Sequence, residues 1–457
     1  MAHGQQTYLT NTPAPACLAS ASRMPSAAFT DIDTATAKLA AWMETMRGPG
    51  GYGGPVAHWW QQSLVYTGPG LDWRYEGIIA GYLNLWERSG DARWLHSARR
   101  AGDDLVVAQT AEGHYPASTF EINPATAGTP HEAACDNGLL LLALALRANR
   151  DESYKRYAVT AEHNLRRFLI GRLWDVDARA FRDSPHIPSF VPNKAATICE
   201  TLFLYAELSG DSRWVEAYAL PTLDRIIAHQ VCSDRGDNGA IAQNTLGRQR
   251  IEKYFPIYIA RCIPALVRGY YWTNAERYIA SAQAALGFIA RQVYPDGSLP
   301  AVVYPGRRVN RYPAWIAPLG DVLRAADILA LLGIFVNFGM TRQWLLAGQD
   351  ASGGFQTAHG FAAHSTGRLP ARPDVRDVLH VAGWCDKAFR YLAGHTGNHP
   401  PTEASAAIAV DCIFRGKPMR FVEDTGKIEI TTANKVYYRW QKGSPWAEIA
   451  SPEFWLR

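Results

Sequence analysis

Apolar residues fall along the chain in two alternating kinds of segment. One kind is apolar on nearly every side: 72–87, 132–148, 194–208, 254–272, 315–332 and 379–393. The other kind, at 32–46, 92–109, 153–173, 212–230, 275–292 and 341–348, repeats its apolar residues at helical spacing and leaves a polar face. Both patterns predict helices, the first enclosed on all sides and the second amphipathic. Two residue series give the period. The aromatics Trp94, Tyr154, Trp214 and Tyr278 open successive amphipathic segments at intervals of 60, 60 and 64 residues. Within the all-apolar segments one polar position recurs, Glu76, Asp136, Glu200, Arg261, Asp321 and Asp386, at intervals of 60, 64, 61, 60 and 65. A fixed period of this kind signals stacked copies of one unit. Six pairs of one enclosed and one amphipathic helix predict an all-α fold, an (α/α)6 toroid over residues 30–394.

The punctuation agrees. Asp91, Asp151 and Asp211 stand where a helix N-cap is expected. Gln109, Gln230, Gln292 and Gln349 close amphipathic segments ahead of Gly-containing turns such as Glu112-Gly113 and Ser352-Gly353-Gly354. Beyond residue 394 the period changes to two. The stretches 427–431 and 435–440 read as strands. Residues 395–457 therefore form a small β-rich appendage packed on the toroid, because a few short strands rarely stand alone. Residues 1–29, rich in Ala, Ser, Thr and Pro, read as a loosely ordered tail.

Composition narrows the function classes. Hydrophobic residues at 47% and charged residues at 19% supply a large core and exclude general disorder. A net charge of +4 gives no footprint for nucleic acid or a membrane surface. The longest apolar runs, 138–146 and 328–336, fall short of the ~18–20 residues of a membrane span. Seven scattered cysteines with no CxxC pair suggest neither a disulfide framework nor a zinc site. No nucleotide-binding glycine loop or GxSxG elbow is found, so no metal and no cofactor is expected. The stretch 1–28 lacks the charged and apolar regions of a signal peptide, which points to the cytoplasm.

In a toroid the connections into the inner helices converge on one end of the ring, where helix N-termini add free N–H donors. The candidates at that end are Trp59, Trp60, Asp72, Trp73, Arg74 and Glu76 for the first inner helix, and His131, Asp136 and Asn137 for the second. Glu200, Tyr254, Arg261 and Tyr304 follow, then Trp315, Asp321, Trp384 and Asp386. Carboxylates held close together in a poorly solvated ring acquire separated pKa values, which general acid/base chemistry requires. The rim aromatics suit sugar rings and equally suit polyprenyl chains.

The repeat unit, Ser-Gly-Asp-x-Arg-Trp followed by a helix, Gln and a Gly/Asp turn, resembles the six-hairpin glycosidase superfamily. That superfamily includes unsaturated glucuronyl hydrolases, polysaccharide lyases and sugar epimerases. Cys135-Asp136-Asn137-Gly138 is similar to the acid-bearing inner helix of the glucuronyl hydrolases, and the resemblance implies that Asp136 donates a proton. The expected function is a glycoside hydrolase or polysaccharide lyase acting on an oligosaccharide or smaller substrate. Asp136 would be the acid, with Glu76 or Glu200 holding a water or hydroxyl. In a lyase, His131 or Tyr254 would abstract the proton and Arg74 or Arg261 would neutralise a uronate. A terpenoid-type cyclase or isomerase, with an acid protonating an alkene among aromatics, is the first alternative. A non-catalytic binding toroid, with its inner acids tied up in ion pairs, is the second.

Overall fold

The computed structural model describes residues 31–57, 64–67, 70–115, 130–247, 249–397, 405–433 and 435–442. Six helical hairpins follow in chain order: α1 (Ile32–Thr45) with α2 (Arg74–Ser89), α3 (Ala92–Ala108) with α4 (Glu132–Ala148), and α5 (Tyr154–Asn164) with α6 (Pro192–Ser209). Next come α7 (Leu220–Ala228) with α8 (Pro256–Thr273), α9 (Glu276–Ala290) with α10 (Leu319–Ala330), and α11 (Gly339–Ala347) with α13 (Ala382–Ala393), the last pair separated by the short α12 (Val375–Val378). The even-numbered helices α2 to α10 pack in sequence, α10 packs on α13, and α13 closes on α2. Each inner helix also packs on the outer helix that follows it, and α13 packs on α1, so the two ends of the ring meet. This is an (α/α)6 toroid.

The helix boundaries follow from local chemistry. Pro192 and Pro256 sit in the first turn of α6 and α8, where a missing N–H costs nothing, and so set both starts. Gly90, Gly210 and Asn274 take the left-handed conformation that ends α2, α6 and α8 and allows a tight return to the outer layer. Asp91, Asp151 and Asp211 each accept the N–H two residues on, as expected for helix-start residues. Two amphipathic segments are not uniform α-helices: α5 continues as a π-helix over Leu165–Leu173, and Val215–Ala219 is a π-turn leading into α7.

Repeated contacts fasten neighbouring units. The Gln109 side-chain amide donates to Gly113 O in its own turn and to Thr160 O on the next outer helix. Gln230 does the same with Gly239 and Ser281, and Gln349 with Gly353 and Ala35 of α1. Glycines bring inner helices close: a Cβ at Gly77 would meet Asp386 Oδ2 at 2.3 Å, and one at Gly320 would meet Lys387 O at 2.2 Å.

At the C-terminus, strands Ile408–Phe414, Lys417–Asp424, Lys427–Thr431 and Val436–Gln441 form an antiparallel meander. Its buried face carries Phe414, Met419, Phe421, Ile428, Ile430 and Trp440. Glu423 of this sheet reaches the toroid, accepting from Trp42 Nε1 of α1 at 2.6 Å and pairing with His380 Nδ1 at 2.5 Å. Among the described residues no helix is long and apolar enough to cross a membrane.

Candidate active site

The connections from outer to inner helices gather at the N-terminal end of the inner ring, several of them shaped as short hairpins. Asn244–Leu246 pairs with Gln249–Ile251 ahead of α8, and Val302–Val303 pairs with Val309–Asn310 ahead of α10. The opening they surround has a charged floor to which every inner helix contributes. Glu76 of α2 accepts from Arg261 of α8 at 2.6 Å and from Arg390 of α13 at 2.8 Å. Arg390 also pairs with Asp321 of α10. Glu200 of α6 is 3.2 Å from both Arg261 and Arg324 of α10. Asn137 of α4 completes the ring, donating to Glu76 at 3.3 Å and accepting from Thr201 at 2.7 Å. Burial alone would raise the Glu76 pKa, but the Arg261, Arg390 and Arg324 charges hold it well below the usual carboxylate range. Arg324 is the most solvent-accessible member, its side chain 27% exposed against 5–6% for Arg261 and Arg390.

The first turns of α13 stand beside this floor. Lys387 Nζ donates to both Asp386 oxygens, at 2.8 and 2.9 Å, and to Gly383 O at 3.0 Å. It also lies 5.8 Å from the half-buried ring of Trp384, which packs on Trp315. Burial raises the Asp386 pKa to about 7 against the lowering effect of Lys387 and Arg390, with Asp321 adding to the rise. A buried carboxyl that titrates near neutrality can hold or release a proton at working pH. Trp73, with Arg261 Cζ 6.0 Å from its ring, and Tyr258 are partly exposed at the starts of α2 and α8.

A second acid cluster lies off the axis. Asp136 is fully buried, accepting from Tyr115 Oη at 2.9 Å, and Glu132 one turn earlier accepts from Tyr115 N and from Asn164 of the outer helix α5. Its partners therefore come from the outer layer, whereas Asn137 is the residue of α4 that meets the neighbouring inner helices. Burial pushes Asp136 well above the carboxylate range, against the Tyr115 bond and helped by Glu132. Burial likewise lifts Glu132 to about 8. Asp136, expected on the cavity floor, is thus sealed from solvent against Tyr115, and among the described residues it has no arginine partner.

The other expected residues are spread over the opening. Asp72 and Arg74 pair with each other at 2.8 Å, almost fully buried, and His131 is buried just ahead of α4. Tyr254 lies outside α8: its backbone bridges Val303 and its hydroxyl donates to Glu252 at 2.6 Å. Tyr304 is half-buried under Arg308, whose guanidinium carbon is 4.2 Å from its ring centre. Trp315 sits in a strand against Ala358–His359 rather than in a helix. Trp59 and Trp60 lie outside the described residues. Among the described residues no group of three or more His, Cys, Asp or Glu side chains is arranged to hold a metal ion.

Three functional-looking residues escape the repeat analysis: Arg324, Lys387 and Arg390. The available signal is helical spacing, since Arg324 is three residues after Asp321 and Arg390 four after Asp386, placing each base on the face of an acid already singled out.

No protein-family model matches the chain, and no curated protein matches it. Solved structures do. D-Mannose isomerase aligns with a TM-score of 0.56 and 12% identity, covering 79% of this chain and 96% of its own. Unsaturated glucuronyl hydrolase from Bacillus sp. GL1 gives 0.53 and 14%, covering 79% and 94%. The α-1,6-mannanase of Salegentibacter sp. HEL1_6 gives 0.50 and 12%, covering 80% and 99%. The chain has the six-hairpin glycosidase-like fold. That fold houses hydrolysis and isomerisation of different sugars, so the reaction has to be argued from the site.

Proposed function

We propose that this protein is a carbohydrate-active enzyme that cleaves a glycosidic bond by general acid/base catalysis at the mouth of the inner ring. The observation that carries the reading is the contrast between two carboxyls on the adjacent helices α13 and α2. Asp386 titrates near neutrality beside Lys387, while Glu76 is kept ionised by two arginines. Separated pKa values are the mark of an acid/base division of labour. Asp386 would give its proton to the leaving oxygen as the glycosidic bond breaks, and Glu76 would hold negative charge near the positive character developing on the sugar. A water would add to the anomeric carbon and return its proton to Asp386. Trp384 and Trp73 offer faces for sugar rings. The likeness to mannose isomerase, a glucuronyl hydrolase and a mannanase supports a sugar substrate over an isoprenoid. So does a floor of several acids, arginines and hydroxyls, since an alkene needs one acid in an apolar pocket.

Asp136, the donor implied by the glucuronyl-hydrolase resemblance, is the competing acid. The binding-toroid reading also has an observation in its favour, the pairing of Glu76, Glu200 and Asp321 with arginines. A product screen against di- to tetrasaccharides separates these readings. Reducing ends without ultraviolet absorbance indicate hydrolysis, an unsaturated absorbing product indicates elimination, and binding without turnover over the whole panel would leave the binding toroid.

A further inference from the structure

The mouth of the inner ring is balanced in charge, pair by pair. Six cationic side chains of the inner helices stand in its mouth and floor, and each is bonded to a carboxylate. Arg74 pairs with Asp72, Lys194 with Asp183 at 3.0 Å, and Lys387 with Asp386. On the floor, Arg261, Arg324 and Arg390 share Glu76, Glu200 and Asp321. Above about pH 7, where Asp386 is ionised, six bases thus meet six acids, and all but Arg324 are largely removed from water. An anionic sugar could be held here only by taking a base from its acid, which leaves a buried carboxylate without compensation. Among the described residues, Arg250, Lys253, Arg308 and Arg311 add cations on the entry loops; Arg250 and Arg311 pair with Glu252 and Asp296, and water and salt weaken the pull of the exposed Lys253 and Arg308.

What the network does leave open is of both signs. Among the described residues, Arg261 Nη1 and Arg390 Nε are buried donors without a hydrogen-bond partner, and Asn193 Oδ1 in the first turn of α6, Asp183 Oδ1 and Glu200 Oε2 are buried acceptors without one. Buried polar groups normally find partners. A sugar hydroxyl, which gives one hydrogen bond and accepts others, satisfies both kinds without disturbing an ion pair. A carboxylate or sulfate satisfies only the donors.

We propose that the site takes an uncharged glycan, built of neutral hexoses, and discriminates against uronate-bearing and sulfated sugars. This rests on the sugar-acting reading above and narrows its substrate class. The same logic gives Glu200 a part in specificity. Glu200 is the carboxylate on Arg324, the most accessible of the buried bases, so its charge offsets the floor cation that an acidic sugar could reach most easily.

The test is calorimetric binding to the full-length protein of neutral gluco- and manno-trisaccharides and of the corresponding glucuronate and mannuronate trisaccharides. A neutral member should bind at least 10-fold more tightly than its uronate counterpart, with an affinity that changes less than twofold between 50 and 500 mM salt. Glu200→Gln, nearly isosteric, should narrow that preference to less than threefold by freeing Arg324. Its fold is checked by circular dichroism, and the wild-type panel stands without it. Tighter binding of a uronate by the wild-type protein, weakening with salt, overturns the charge argument and leaves the sugar reading intact. Failure of every sugar to bind overturns both.

Discussion

At the residue scale the floor is held by unequal partners, and Glu76 carries the most. Replacing it with Gln leaves Arg261 and Arg390 facing a neutral amide, so Glu76→Gln should cost roughly 3–5 kcal/mol, the range for breaking a buried pair. Urea unfolding at neutral pH measures this. The acid side follows from the same shift. The folded-state pKa of Glu76 is depressed, so its contribution is complete above the unfolded value near 4.5 and is lost as pH falls below it. The gap between wild type and Glu76→Gln should therefore close between about pH 4.5 and lower values. Asp136 behaves differently: burial raises its pKa instead of lowering it, and Asp136→Asn preserves its shape and a carbonyl for Tyr115. That variant should retain both stability within about 1 kcal/mol and most of the turnover. A turnover loss of on the order of 10²-fold or more would instead assign the acid to Asp136. The repeat places Glu76, Glu200, Arg261, Asp321 and Asp386 in the sequence because each recurs at one depth. It conceals which way each points. Asp136 and Asn137 are adjacent, yet about 100° apart around α4, and that rotation decides which of them meets the neighbouring inner helices.

At the element scale the close approach of α2 and α13 depends on having no side chain at Gly77. Gly77→Ala would push a methyl into the Asp386 carboxylate and backbone, and should destabilise the protein by about 1–3 kcal/mol, read as a lowered urea midpoint with unchanged slope. It should also displace Asp386 and reduce turnover. The helices themselves were legible: the predicted range 132–148 coincides with α4, and most other boundaries fall within two or three residues. The misses have local causes. Periodicity extends the fourth inner helix back to Tyr254, but Pro256 starts it, and Tyr254 is drawn into a bridge with Val303. Trp315 reads as helical, yet a strand pairing to Ala358–His359 takes it, and α10 begins only at Leu319. The π-turns in 153–173 and 212–230 keep an amphipathic face while changing register, which a 3.6-residue pattern does not reveal.

At the scale of the whole molecule, the C-terminal sheet is fastened to the toroid through a buried imidazole. His380, just ahead of α13, lies between Glu423 of the sheet and Asp350 of the sixth-hairpin turn, at 2.5 and 2.8 Å. Burial would lower its pKa, but the two carboxylates outweigh that and raise it to about 10. A raised pKa contributes stability that is full below the unfolded value near 6.5 and is lost as pH rises through 10. Glu423→Gln should weaken that dependence, leaving the part due to Asp350, and limited proteolysis of wild type across pH 7–10 should show the sheet becoming cleavable first. Strand alternation announces the sheet in the sequence, but its attachment is invisible there, because Glu423 and His380 are 43 residues apart and follow no repeat. The central claim concerns the first turns of α13, six residues on from His380, and the pH–rate profile of Asp386→Asn against wild type on a neutral oligosaccharide tests it most directly. Wild-type kcat/KM should fall as pH rises through about 7, where Asp386 loses its proton, and the variant should be slower by on the order of 10²–10⁴-fold with that limb absent. A variant that keeps the wild-type rate and the same pH limb would contradict the account.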